Sequence, residues 1–170
     1  MPRITVDVHA TVGSSIGRAH VSGHSFFARP HRTDGLPVGW GEVAGARLED
    51  GSQLHALVLM SEPALPVRAH AWPIGILHLG QRASEDVLVC VAEEDTFVDL
   101  TDLVHCAGWN AELEAWLDAL RRVRPQTPRH AYAYDGHEAA ESLVARTTAK
   151  STAGMAEAQD RDSGQESTHA

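Results

Sequence analysis

The stretch EDGSQLHALVLM, residues 49–60, predicts a tight turn that leads directly into a buried strand. The dipeptide Asp50-Gly51 is typical of turns, and the apolar run that closes the stretch has the length of a core strand. Because the side chains of a strand alternate between its two faces, we expect Asp50, Ser52 and His55 to lie at the mouth of whatever this strand lines. Asp-Gly turns are common strand entries, so the stretch by itself assigns no chemistry.

Further short strands are predicted on both sides of this stretch. Ile4, Val6 and Val8 alternate with polar residues, as in a strand with one buried face. The other predicted strands cover residues 54–60, 68–72, 74–79 and 87–91, and they are separated by Pro63, Pro66, Pro73 and a polar turn at 80–86. Strands therefore dominate the first hundred residues.

Two helices are predicted after these strands. Asn110 is a suitable N-cap, and Pro125 ends the first helix. One apolar face repeats at helical spacing and is interpreted as core packing; its members are Leu113, Trp116, Leu117, Leu120 and Val123. A second helix is predicted from about residue 137 to 147. This order favours an α+β fold, a small β-barrel with helices packed outside it.

The composition excludes several classes of partner. The chain has 14 basic and 23 acidic residues, a formal net charge of −9, and thirteen arginines against a single lysine, Lys150. Without a strong basic cluster we expect neither nucleic acid nor membrane as a partner. Cys90 and Cys106 form no zinc or disulfide pattern, and the N-terminus does not resemble a secretion signal, so a cytoplasmic location is expected.

The last residues differ in composition from the rest. Residues 150–170 are small and polar, and they are predicted to form a disordered tail after a single domain at 1–149. Eleven histidines occur, but none of them forms a recognisable zinc spacing, and a solvated imidazole is the default interpretation for each. His70 and His78 are expected on consecutive strands.

Several segments together resemble the family I soluble inorganic pyrophosphatases. EDGSQLHALVLM, AWPIGILHLG at 71–80 and EDVLVCV at 85–91 are similar to the family's EDGDPLDVLVL, xRPIGVL and DDKxxAV stretches. The similarity extends to ITVDV at 4–8, LPVGWGEVAG at 36–45, NAELEAWLDALRRV at 110–123 and DGHEAAESLV at 135–144. The resemblance implies a five-stranded OB-like barrel flanked by two helices and a homo-oligomer.

The family hydrolyses pyrophosphate with several magnesium ions held by aspartates, and the resemblance implies that many of these ligands are replaced here. The family's three signature aspartates, in order, correspond to Asp50, Ser52 and His55. The two acidic ligands of the next turn correspond to Gln81 and to Glu85, or to Asp86 if a one-residue gap is introduced. Hard cations that lie close together need several carboxylates, so magnesium is expected to bind poorly.

The phosphate-binding positions are changed as well. The resemblance places Trp40 where the family has a tyrosine, and Arg29 at the arginine position if one residue is deleted. Two of the lysine positions become Ser15 and Val87, and the third becomes Arg124. Single contacts to transferring phosphoryl groups are typically worth about 100-fold or more in rate, so ordinary pyrophosphate hydrolysis is not expected.

Three functions remain open. The first is an acid/base enzyme acting on a small organic molecule, in which Asp50 orients His55 and raises its pKa. The catalytic residues would then be His55, Asp50 and Glu85, and the substrate-binding residues Trp40, Glu42, Ser52, Arg29 and Arg124. The second is a non-catalytic binding protein. The third is a diphosphatase that uses a transition metal on Asp50, His55 and Glu85. No cofactor is expected beyond a weakly bound divalent metal.

Overall fold

Strands account for most of the ordered core in this computed structural model, which describes residues 2–17, 35–63, 67–82, 85–94, 100–103 and 110–149. Within those ranges the strands are β1 (Ile4–Gly17), β2 (Gly35–Arg47), β3 (Gln53–Leu59), β4 (Val67–His78), β5 (Asp86–Ala92) and β6 (Ala133–Asp135). The helices are α1 (Asn110–Val123) and α2 (residues 137–149). Both helices lie close to their predicted positions.

The first five strands close into a ring. Their order is β1-β2-β3-β5-β4, and β4 pairs back to β1 through Val67–Ala71 and Ile4–Val8. All of these pairings are antiparallel except that of β3 with β5. The short strand β6 adds to the far end of β4. The predicted α+β fold, a five-stranded barrel flanked by two helices, is confirmed.

Strand β4 differs from its prediction because it runs without a break through Pro73. The expected interruption at this proline is wrong, and so is the placement of His70 and His78 on separate strands. Along one edge of β4, the pairing with β1 ends at Ala71 and the pairing with β6 begins at Ile76. Along the other edge, the register with β5 shifts between Pro73 and Gly75. The missing N–H of a proline is tolerated at such an irregularity.

Strand β2 was not predicted, because its glycines and its proline mimic a loop sequence. The glycines are needed where β1 and β2 approach closely: a Cβ on Gly41 would lie 2.1 Å from the backbone oxygen of Asp7. In the turn before β3, Gly51 has a φ of +84°, which favours glycine. The predicted turn and strand at residues 49–60 are thereby confirmed.

The core fills the ring and the space beneath the helices. Val6, Val58 and Leu88 are completely buried, and Trp116 and Leu120 of α1 are buried with them. Helix α1 packs mainly against β1, and Arg122 Nη1 donates to the Gly13 oxygen at 2.9 Å. The apolar face predicted for this helix is therefore its packing face.

Some predictions lie outside the described residues. These concern the tail at 150–170, Cys106, Arg29, and the histidines at positions 20, 24 and 31. Cys90 is a buried free cysteine. In the ranges that the structure describes, neither helix has the length and apolar content required to cross a membrane.

Candidate functional site

Three polar residues form a lateral row across the first three strands. Asp7 on β1 is paired with Glu42 on β2, and Glu42 is paired with His55 on β3. All three are partly exposed, whereas the residues next to them in sequence, such as Val8 and Leu54, are buried. Strand alternation therefore places the row on the face of the ring opposite to that of Val8 and Leu54.

The ring of Trp40 lies against one member of the row, His55. Its ring stacks on the His55 imidazole with the centroids 4.9 Å apart and the planes within 4° of parallel. Trp40 lies two residues before Glu42, which faces His55, so the two rings meet diagonally across the β2–β3 pair. This contact brings two of the predicted site residues together.

The environment of His55 favours its neutral form. Burial is the main cause that lowers the pKa of His55, the Glu42 carboxylate opposes this effect, and the positive charges of Arg124 and His9 add to it. The expectation that Asp50 raises the pKa of this ring is wrong in sign. It fails because desolvation outweighs the attraction of the carboxylate, and the carboxylate that acts on the ring is that of Glu42.

Asp50 and Ser52 form a local turn at the entry of β3. Asp50 Oδ1 accepts from Ser52 N at 3.0 Å and from Ser52 Oγ at 2.5 Å. Both residues are exposed. The Asp50 carboxylate thus caps the turn, as an aspartate before a tight turn usually does.

Glu85 and Asp86 contact different neighbours in the turn before β5. The Glu85 carboxylate lies against Gly80, where a Cβ would be 1.5 Å from Oε2. The Asp86 carboxylate lies 2.7 Å from His78 Nδ1. Both residues remain candidates for the acidic position that the sequence analysis left open.

Of the two predicted cations, one is described. Arg124 lies at the end of α1, where its N–H donates to the Leu120 oxygen at 2.7 Å, and its charge acts on His55. Arg29 lies outside the described residues. At the other end of the row, Asp7 binds Arg68, with Nε and Oδ1 2.7 Å apart, and this hydrogen bond is the main cause that lowers the pKa of Asp7.

A second polar cluster was missed by the sequence analysis. His78 Nδ1 lies 2.7 Å from Asp86 Oδ1, and its Nε2 lies 3.0 Å from Asp135 Oδ2. It borders a cavity of about 340 Å³ that is also lined by Gly80, Gln81, Arg82, Tyr132 and Ala133. His78 and Asp135 are far apart in sequence, and β6 was not predicted, so no local pattern could have joined them.

The described acidic and histidine side chains form no cluster that would hold several metal ions. Within the described ranges, no group of three or more His, Cys, Asp or Glu side chains could hold a metal ion. Ser52 and Gln81, two of the positions compared with acidic ligands in the sequence analysis, carry no charge. The arrangement instead offers one neutral imidazole beside a carboxylate and an aromatic ring.

Comparison with known proteins identifies the same fold. A family model described as inorganic pyrophosphatase matches residues 17–152. Among curated protein sequences there is no match. The inorganic pyrophosphatase of Thermus thermophilus is 18% identical, with a TM-score of 0.59 over 88% of this chain and 91% of that one. An inorganic phosphatase of Anaplasma phagocytophilum is 13% identical, with a TM-score of 0.60 over 88% and 94%. The Neisseria gonorrhoeae pyrophosphatase is 17% identical, with a TM-score of 0.55 over 88% and 91%.

Proposed function

Because the chain belongs to the inorganic pyrophosphatase family, we propose that it keeps the family's barrel but acts as an acid/base enzyme on a small organic anion. The observation that carries the proposal is the stack of Trp40 on His55, with Glu42 beside the imidazole. A general base must be unprotonated at the working pH and within reach of its substrate. The lowered pKa of His55 and its partial exposure support both requirements.

His55 would take a proton from the substrate and return it to the leaving group. The His55 ring is partly exposed, so a ligand can approach it. As the ring gains a proton, the Glu42 carboxylate stabilises the imidazolium, because it acts on His55 in the direction that favours the charged form. Cyclisation, elimination and hydrolysis all require such a transfer, and none of them requires an oxidant.

Trp40 and Arg124 would select the substrate. The exposed part of an aromatic ring favours an apolar or planar group, while a guanidinium favours a carboxylate or phosphate. Arg124 lies close enough for its charge to act on His55. A ligand with an organic body and one anionic group therefore suits this site better than free pyrophosphate does.

The proposed function does not include magnesium-dependent hydrolysis of pyrophosphate. Asp50 caps its own turn through Ser52, and the signature position after Ser52 holds an imidazole rather than a carboxylate. Placing several divalent cations here would require the charge that is missing at positions 52, 55 and 81. The proposed reaction therefore uses no magnesium.

Phosphate release from pyrophosphate tests the proposal most directly. The wild type is assayed with Mg, Mn, Co and Zn beside a triple variant carrying Ser52→Asp, His55→Asp and Gln81→Asp. We expect no metal-dependent turnover from the wild type, and magnesium-dependent turnover at least about tenfold above the enzyme-free background from the triple variant, because carboxylates return to the ligand positions. Efficient magnesium-dependent turnover by the wild type would overturn the proposal.

A binding experiment tests the organic ligand. Phenyl phosphate and inorganic phosphate are titrated calorimetrically against the wild type, Arg124→Gln and the surface control Arg129→Gln. We expect tighter binding of phenyl phosphate than of phosphate, and a loss of about tenfold in affinity with Arg124→Gln only. Equal binding of the two probes, or equal loss in both variants, would contradict the assignment of Trp40 and Arg124.

A transition-metal diphosphatase is the second candidate, and family membership together with the neutral His55 favours it. Imidazole suits Mn, Co and Zn better than Mg. Turnover with one of these metals that is lost in Asp50→Ala would support this candidate over the acid/base enzyme. Silence with every metal, combined with ligand binding that His55→Ala leaves intact, would support a non-catalytic binding protein.

A further inference from the structure

Strand β1 is irregular at the point where it passes Trp40. Val8 pairs with Gly41 and Ala10 pairs with Trp40, so two steps along β1 correspond to one step along β2. This register shift is a β-bulge, and the extra residue in it is His9. Bulges redirect a side chain and are common beside active sites, so the residue in this one is a candidate for the site.

The bulge brings His9 to the face of the ring that carries Trp40. Val8 is buried, so strand alternation turns His9 to the opposite face, where it is exposed. Ala10 would return to the buried face in a regular strand, but here it is paired with Trp40. His9 and Ala10 therefore oppose Trp40 together. His9 borders Trp40 from β1, whereas the stacked His55 borders it from β3.

Close packing of β1 on β2 fixes the bulge in place. Trp40 is flanked by two glycines, Gly39 and Gly41. A Cβ on Gly41 would lie 2.1 Å from the Asp7 backbone oxygen, and a Cβ on Gly39 would lie 2.9 Å from Val8 Cγ1. Since no larger side chain separates the two strands here, the backbone itself determines the place of the bulged residue.

The charge of His9 reaches both ends of the row. The hydrogen bond from Arg68 is the main cause that lowers the pKa of Asp7, and the positive charge of His9 adds to it. Burial is the main cause that lowers the pKa of His55, and the charges of Arg124 and His9 add to it. The Asp7 carboxylate is bound by Arg68, with Nε and Oδ1 2.7 Å apart. An anion that lies over the row therefore meets a cationic side chain from β1 as well as one from α1.

We propose that His9 is a further substrate-binding residue and that the site takes a planar organic dianion. This inference rests on the proposed function, in which Trp40 holds the organic body and Arg124 binds one anionic group. Strands β1 and β3 lie on either side of β2, about 10 Å apart across two strand spacings. Hydrogen-bond donors on both sides of Trp40 suit a single ring that carries an anionic group at each end. His9 donates an imidazole N–H to the second group, and a neutral ring already has one such donor.

Calorimetric titration with two probes tests this second contact. Phenyl phosphate has one anionic group on its ring, and 4-carboxyphenyl phosphate has another at the opposite end. Each probe is titrated at a single pH against the wild type, His9→Ala, His9→Gln and the control His70→Ala, which removes an exposed histidine from β4. We expect the wild type to bind 4-carboxyphenyl phosphate about tenfold more tightly than phenyl phosphate, the usual scale of a hydrogen bond to a charged group.

His9→Ala should remove this preference and leave the affinity for phenyl phosphate unchanged. His9→Gln keeps an N–H donor and should retain part of the preference, and His70→Ala should retain all of it. The NMR signals of the His9 ring provide the second readout. They should shift when 4-carboxyphenyl phosphate is added and much less when phenyl phosphate is added.

Two results would overturn this inference and leave the proposed function in place. One is equal affinity of the wild type for both probes, with the binding of phenyl phosphate still dependent on Arg124. The other is an equal loss of both probes in His9→Ala, because the variant would then have disturbed the sheet rather than one contact. Binding of neither probe by the wild type would overturn the proposed function and this inference with it.

Discussion

Burial and charge oppose each other at His55, and burial is the stronger effect. The stacked indole of Trp40 removes water from one face of the imidazole, while Glu42 stays partly solvated and exerts a weaker pull. The sequence predicts that Trp40, Glu42 and His55 belong to one site. It does not predict which carboxylate acts on His55, because Asp50 is near in sequence whereas Glu42 is brought close only by the β2–β3 register.

The titration of His55 checks this balance. We expect an NMR midpoint below 6.5, the ordinary histidine value, and a midpoint closer to 6.5 in Trp40→Ala, because the variant returns water to the ring. Trp72→Ala, on β4, is the control that removes an indole elsewhere. A midpoint at or above 6.5 in the wild type would mean that Glu42, and not burial, controls the ring.

At the scale of elements, the close approach of β1 to β2 determines which residues β2 can contain. The backbone oxygen of Asp7 occupies the space that a side chain at position 41 would need. Position 41 therefore requires glycine, although glycine is also one of the residues that make the sequence of β2 look like a loop. Helix α1 was predicted more accurately, because its apolar face is periodic and its contacts with the core follow directly from that period.

Substitution of Gly41 by alanine tests the packing of these two strands. We expect Gly41→Ala to lower the free energy of unfolding by about 1–3 kcal/mol, the usual range for overpacking. Gly13→Ala is a matched control on β1, since a Cβ there would meet Arg122 Nη1 only at 4.0 Å. Urea denaturation followed by tryptophan fluorescence measures both. Equal effects of the two variants would mean that the close approach of β1 and β2 does not limit the size of the residue at position 41.

At the scale of the whole molecule, His55 gives stability one dependence on pH, and His78 and His137 give it the opposite one. The folded-state pKa of His55 is lowered, so its contribution is lost as the pH falls below 6.5. The folded-state pKa of His78 is raised, so its contribution is complete below 6.5 and is lost as the pH rises through the folded value. Their sum is greatest near the ordinary histidine pKa.

We therefore expect the histidine contribution to the free energy of unfolding to peak near pH 6.5 and to decline on both sides. His55→Gln should flatten the acid side. His78→Gln should reduce the slope on the alkaline side, to which His137 also contributes because its hydrogen bond with Asp102 raises its pKa. Denaturation at a series of pH values measures the curves of the wild type and the two site variants, with His70→Gln as the control for the loss of an exposed histidine. Parallel curves for the wild type and both site variants would rule out this assignment.

How far the sequence predicts the molecule depends on whether the relevant contacts are local. Short sequence patterns predict turn 49–51, strand β3 and helix α1. The closed barrel was predicted from the family resemblance. Strand β6 and the His78 cluster depend on residues that are distant along the chain, such as His78 and Asp135. The unbroken strand through Pro73 could not be predicted. The sequence alone does not show that the pairing of β4 with β1 ends at Ala71 and that its pairing with β6 begins at Ile76.

The one parallel pairing in the ring has a consequence for biosynthesis on the ribosome. Strand β3 reaches its neighbour β5 only after β4 has been laid down between them in sequence, and β1 finds its second partner only in β4. A nascent chain that stops before Asp86 therefore leaves β3 with an unpaired edge, and such edges recruit other chains. The barrel can close only after β5 has been translated, because β5 pairs with both β3 and β4 and so covers their edges.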